Sequence, residues 1–183
     1  MISRGAHLAG RFATSLRPGG PNVADTAWAV AYLSPAEATL WRRMPAADRR
    51  ESVRVGRRLE AELAGTEHAG DARWTVAALL HDVGKTESRL GTVGRTLATM
   101  AGAAAGHDIA PAWQAKGGVR RKFGLYLRHD EIGAGMLEMA GSRREVVAWA
   151  RAHHHPETWE TIGIPAAVAH ALARADGETV ANS

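Results

Sequence analysis

Apolar positions along this chain recur at helical spacing, and Val, Ile, Phe and Tyr never alternate over a useful stretch. The pattern therefore predicts helices and argues against sheet. Ser34-Pro35-Ala36-Glu37 reads as a capping box with proline in the first turn, opening a helix that runs to about Met44. A second helix covers Asp48 to Leu63, with Val53, Val55, Leu59 and Leu63 on its apolar side and Arg49, Arg50, Arg57 and Arg58 on its wet side. Asp71 is placed to cap a helix that passes through Trp74, Val76, Leu79 and Leu80 to Val83 and closes on Gly84.

A long segment from Thr86 to about Ala105 follows, weakened by Gly91 and Gly94. Residues Gly106 to Gly118, with Pro111 and further glycines, read as a loop. Arg120–Leu127 and Glu131–Met139 are two short helices or one bent one. Ser142-Arg143-Arg144-Glu145 reads as another capping box, opening a helix to about His153 that Pro156 stops. Pro165 then starts a last helix, ending at Asp176 and closing on Gly177. The sum is an all-α fold, an irregular helical bundle. The breaker cluster Pro18-Gly19-Gly20-Pro21 sets off an N-terminal arm, residues 1–24, expected to be loosely ordered ahead of a helical domain over 25–183.

The composition narrows the chemistry. The chain has 183 residues and no cysteine, which removes disulfides and thiolate ligands and fits a reducing, cytoplasmic setting. Hydrophobic residues make up 45% and aromatics 5%, so the core leans on Ala, Leu and Val. Most of the six tryptophans, Trp28, Trp41, Trp74, Trp113, Trp149 and Trp159, fall at core spacing. No apolar run reaches membrane-spanning length; the most apolar stretch, Leu97 to Gly106, is short and mostly Ala and Gly. The formal charge of +4, with 20 Arg against 3 Lys, favours anionic partners such as phosphates. No nucleic-acid-binding motif accompanies it. Arg42-Arg43, Arg49-Arg50 and Arg120-Arg121-Lys122 read as solvated faces.

Four islands hold the reactive side chains: Ala77-Ala78-Leu79-Leu80-His81-Asp82-Val83-Gly84-Lys85, His129-Asp130-Glu131, His153-His154-His155, and Asp176. Each lies at a predicted helix end, and ligands on separate helix ends can converge inside a bundle. Neighbouring helical positions let His81 and Asp82 approach one ion from different angles. An imidazole with an oxygen ligand suits a borderline divalent ion, and Lys85, one turn on, suits an anion bound beside it. Asp130 and Glu131 read as first-turn acids, and His155 as a loop residue. His107-Asp108 lacks the apolar helix and the Gly-Lys, and reads as a solvated loop. His7 and His68 read as surface residues, and His170 as core or ligand support.

AALLHDVGK, YLRHDEIG, ARAHHHP and LARADG, in that order, resemble the HD superfamily of metal-dependent phosphohydrolases. The resemblance spans Glu51 to Asp176 and implies a phosphohydrolase of small phosphoesters, nucleotides among them. It also implies one or two divalent ions (Mn, Fe, Ni, Zn or Mg). On that resemblance Asp82 anchors the centre. His81, Asp176 and Glu51 complete one ion, His129, His153 and His154 hold a second, and Lys85 neutralises phosphate. One position departs from the pattern: Glu51 stands where the family's first histidine is expected, ahead of Ser52 and Val53. It either supplies an oxygen ligand or marks a degenerate, binding-only domain. Pro156 and Gly163-Ile164-Pro165 match the cyclic-dinucleotide branch of the family, HD-GYP, in part, without its tyrosine.

Overall fold

The computed structural model describes residues 19–105 and 109–177, without the side chains of residues 92, 93 and 103–105. His7, the His107-Asp108 pair and most of the expected N-terminal arm lie outside the described residues. Helix α1 (Val23–Tyr32) opens the described fold, a segment for which the sequence pattern predicts no helix. Asn22 caps it, its side chain accepting from the amide of Asp25 at 2.7 Å.

Helix α2 (Pro35–Arg43) carries the predicted capping box in full: Ser34 accepts from the Glu37 amide, and Glu37 accepts from the Ser34 amide. Helix α3 (Ala46–Leu63) buries Val53, Val55, Leu59 and Leu63 as its spacing predicts. Helix α4 (Ala72–Leu80) is capped by Asp71 and is buried all round from Trp74 to Leu80. That continuous burial marks it as the central element. It packs against α3 and α2 and, further along the chain, α10 (Arg144–Ala152) and α11 (Ala166–Asp176). The tryptophans behave as core: Trp41, Trp74, Trp149 and Trp159 are buried, while Trp28 and Trp113 are half-buried. The indole of Trp41 donates to Ser52 Oγ at 2.9 Å, joining α2 to α3.

Several expectations are corrected. The segment after Gly84 is two helices, α5 (Lys85–Ser88) and α6 (Thr92–Ala105). Arg89 breaks them apart in the left-handed region at φ 49°. Within the expected loop 106–118, Ala110–Gln114 forms a short helix, α7, because Pro111 sits in its first turn, where a missing N–H costs nothing. Ser142 does not cap α10. The helix starts one residue later, at Arg144, with no side-chain cap, and Ser142 Oγ is buried without a hydrogen-bond partner. Gly84 is not a left-handed cap; its φ is −66°. It is glycine because α9 (His129–Met139) packs on it. A Cβ there would stand 1.9 Å from the His129 carbonyl oxygen and 2.6 Å from the Gly133 nitrogen. His68 is half-buried against Trp74, and His170 packs edge-on against Trp159.

Helix α8 (Gly118–Leu127) meets α9 at Arg128, whose φ of −110° makes the bend between two helices. Helices α5, α6 and α7 lie against α8. The last helix ends as predicted, with Asp176 its final residue and Gly177 left-handed at φ 91°. No strand occurs among the described residues, and no described helix is long and apolar enough to cross a membrane.

Candidate metal centre

Three histidines reach one point by the same local device. The last carbonyls of a helix have no partner within it. At the end of α4, His81 Nδ1 meets the Ala78 carbonyl at 2.9 Å. Beyond α8, His129 Nδ1 meets the Tyr126 carbonyl at 2.8 Å. Beyond α10, His153 Nδ1 meets the Ala150 carbonyl at 2.8 Å. A carbonyl oxygen only accepts, so Nδ1 carries the proton in each ring. Nε2 is then the lone-pair nitrogen.

All three Nε2 atoms turn inward onto Asp82. His129 Nε2 is 3.3 Å and His153 Nε2 3.7 Å from Asp82 Oδ1, and His81 Nε2 is 3.5 Å from Asp82 Oδ2. His81 Nε2 also lies 3.8 Å from Asp176 Oδ1. The three Nε2 atoms and Asp82 Oδ1 are buried without a hydrogen-bond partner among the described residues. Orphaned donors or acceptors at this depth cost free energy, and four facing each other cost more. A divalent ion removes that cost. Ligand atoms at about 2.0–2.2 Å from such an ion stand roughly 3–3.5 Å apart, close to the separations found here. The residues present therefore fit a metal.

His154 extends the donor set outward. A nitrogen from each of His129, His153 and His154 falls within 4.8 Å of the others, with His154 exposed. Trp159 steadies this turn, its indole donating to the Ala152 carbonyl at 2.8 Å. His155 is exposed, as expected of a loop residue, yet its Nε2 lies 3.2 Å from Asp130 Oδ2. Asp130 and Glu131 do sit in the first turn of α9.

The electrostatics suit a cation. Burial pushes His129 and His153 below the usual imidazole range, His153 strongly, so both are neutral and able to ligate near pH 7. Burial works against the charge of Asp82. The Lys85 ammonium outweighs it and holds the carboxyl well below the usual carboxylate range. Lys85 sits one turn along, its Nζ 2.6 Å from Asp82 Oδ2. Burial opposes its charge too, but Asp82 holds its pKa above the ordinary lysine value.

The structure thus brings together His81, Asp82, Lys85, His129, His153, His154 and Asp176. Glu51, on α3, is held by Arg54, whose Nε donates to its Oε2 at 2.9 Å and whose Nη2 donates to its Oε1. Sequence reasoning missed Arg54, since an i,i+3 pair on a helix face reads as ordinary surface charge. It also missed Tyr126, whose ring stacks on His129 with centroids 5.7 Å apart. The position of Tyr126 three residues before a histidine at a helix end was the available signal.

The family model described as HD domain matches residues 50–180 of the chain. No curated protein and no solved structure matches it.

Proposed function

Because this chain belongs to the HD domain family, we propose that it is a divalent-metal-dependent phosphohydrolase acting on a small phosphoester such as a nucleotide. The observation that carries the reading is the convergence of three buried, unpartnered Nε2 atoms on Asp82. A nitrogen-rich set with one or two carboxylates favours Mn, Fe, Ni or Zn over Mg, which prefers oxygen. When bound, such an ion draws charge from phosphoryl oxygens and favours ionisation of a water.

The chain's own residues divide the remaining work. His81, His129 and His153 are fixed in one tautomer by their carbonyl partners, so their lone pairs are aimed in advance. Asp82 is the shared anion among them. Lys85 keeps its proton beside Asp82 and offers further N–H donors to a phosphate oxygen. Exposed His154 lies on the solvent side, where substrate enters.

The test is metal content followed by turnover. Purified protein loaded in turn with Mn, Fe, Ni, Zn or Mg is expected to hydrolyse phosphoesters from a broad panel, and Asp82→Ala to abolish both activity and uptake. Inactivity with every metal across the panel defeats the reading.

A second reading is a binding module without turnover, favoured by the Arg54 fork on Glu51. Under it, Glu51→His raises metal content. If that substitution lowers both metal content and activity, the carboxylate is a working part of the site.

A further inference from the structure

Arg95 is an arginine that the metal centre leaves unexplained. It lies on α6 with only 16% of its side chain exposed. Its Nε donates to the Leu90 carbonyl at 3.0 Å and its Nη1 to Asp48 Oδ1 at 2.5 Å. A guanidinium beside a carboxylate commonly makes two parallel bonds. Here Asp48 takes one, and its Oδ2 is buried without a partner. Two anchors therefore fix the guanidinium, while Nη2 has no hydrogen-bond partner among the described residues.

The surroundings say which way this charge acts. Arg95 is within electrostatic reach of Tyr126 and Asp82. Lys85 is within reach of Tyr126 from its own side. Tyr126 stacks on His129, so its ring ties the two cations to the histidine cluster. Helices α5 and α6, which carry Lys85 and Arg95, both pack on α8, which carries Tyr126.

We infer that Arg95, Tyr126 and Lys85 form an anion-binding wall beside the histidine cluster, and that this wall selects phosphomonoesters over phosphodiesters. The inference rests on the phosphohydrolase reading above. A phosphomonoester near neutral pH carries close to two charges and three terminal oxygens. A diester carries one charge and two such oxygens. Each cation is paired with a carboxylate, Arg95 with Asp48 and Lys85 with Asp82, and the N–H donors left over on both, with the phenol hydroxyl, match the three oxygens of the first and outnumber the two of the second. Arg95 and Tyr126 are positioning and specificity residues in this scheme.

The experiment is calorimetric titration of Mn-loaded full-length protein with inorganic phosphate and with dimethyl phosphate, alongside Mn content per chain. Wild-type protein is expected to bind phosphate at least about tenfold more tightly than dimethyl phosphate. Arg95→Gln paired with Asp48→Asn, which avoids stranding a buried carboxylate, is expected to weaken phosphate about tenfold or more with Mn content unchanged. Tyr126→Phe removes only the hydroxyl and keeps the stacking and the carbonyl; it is expected to weaken phosphate severalfold, and it decides the matter if the paired variant does not fold. Metal-loaded variants that bind phosphate as wild type does overturn the wall, as does a wild type that binds both anions alike or binds neither. A wild type that takes up no metal overturns the phosphohydrolase reading, and the wall with it.

Discussion

His129 Nε2 stands 3.3 Å from Asp82 Oδ1 with no proton between them, because the His129 proton is spent on the Tyr126 carbonyl. A lone pair and a carboxylate oxygen repel at that distance unless a cation lies between. Both atoms are buried, so water does not screen the repulsion. A cation held between them would remove that repulsion.

A thermal shift follows from it. A ligand at about 100 times its Kd stabilises a folded chain by about 2.7 kcal/mol. For a domain of this size that is roughly 5–10 °C in Tm. Scanning calorimetry with and without Mn or Zn is expected to show that rise, and a chelator to reverse it. Asp82→Ala should show no rise, since the anion that gathers the three histidines is gone.

Gly84 supplies a backbone test of the same centre. A Cβ at this position meets main-chain atoms of His129 and Gly133, which have no flexible end to yield. Gly84→Ala is expected to push α9 off the turn after α4, cost more than about 2 kcal/mol, and separate His129 from Asp82. Gly135, on the same helix, faces open space. Gly135→Ala is expected to be neutral or stabilising by up to about 1 kcal/mol, since alanine is the better helix former. Urea unfolding and metal content of the two variants check both halves; equal behaviour refutes the packing argument.

The pH dependence of the metal-free chain has a defined sign. His129 and His153 have folded pKa values lowered, first by burial. The unfolded chain takes up protons at these positions near pH 6.5 and the folded chain resists. Their contribution to stability is whole above about pH 6.5 and is lost as the pH falls toward the depressed folded values. The loss between pH 6.5 and 5.5 is expected to be about 1–2 kcal/mol for the two together. Urea midpoints at those pH values measure it. The double variant His129→Gln, His153→Gln should flatten the profile, and an unchanged slope there counts against this origin.

The helix ends were legible wherever a short-range rule sets them. Ser34 with Glu37, Asp71 and Gly177 act through neighbours two to four residues away, so the sequence shows both partners. Gly84 was misread because its cause is a helix 45 residues on, and no local pattern reveals a close approach between helices. The Ser142 box failed for the opposite reason: the pattern is local, but tertiary packing buried the hydroxyl. For the site, residue types and order gave His81, Asp82, His129, His153 and Asp176. The Nδ1 contacts that orient the rings, the Arg54 hold on Glu51 and the Asp48 hold on Arg95 depend on side-chain direction, which spacing does not specify.

Adjacent histidines 153 and 154 give the last prediction, because they have unlike surroundings. His153 is 2% exposed, with its Nδ1 on the Ala150 carbonyl and its Nε2 aimed at Asp82. His154 is exposed and holds its place in the donor cluster from the solvent side. Removing a ligand whose direction is fixed in advance loses an interaction that needs no further ordering. Removing an exposed one loses an interaction that solvent water can replace. His153→Ala is thus expected to abolish stoichiometric metal binding and, by opening a buried cavity, to cost about 2–4 kcal/mol of stability. His154→Ala is expected to keep the fold and bind the same number of ions about ten to a hundred times more weakly. Competition with a chromophoric chelator reads both affinities on one scale. If His154→Ala loses the metal while His153→Ala keeps it, the centre lies nearer the surface than the Asp82 cluster, and the assignment of Asp82 as its anchor is wrong.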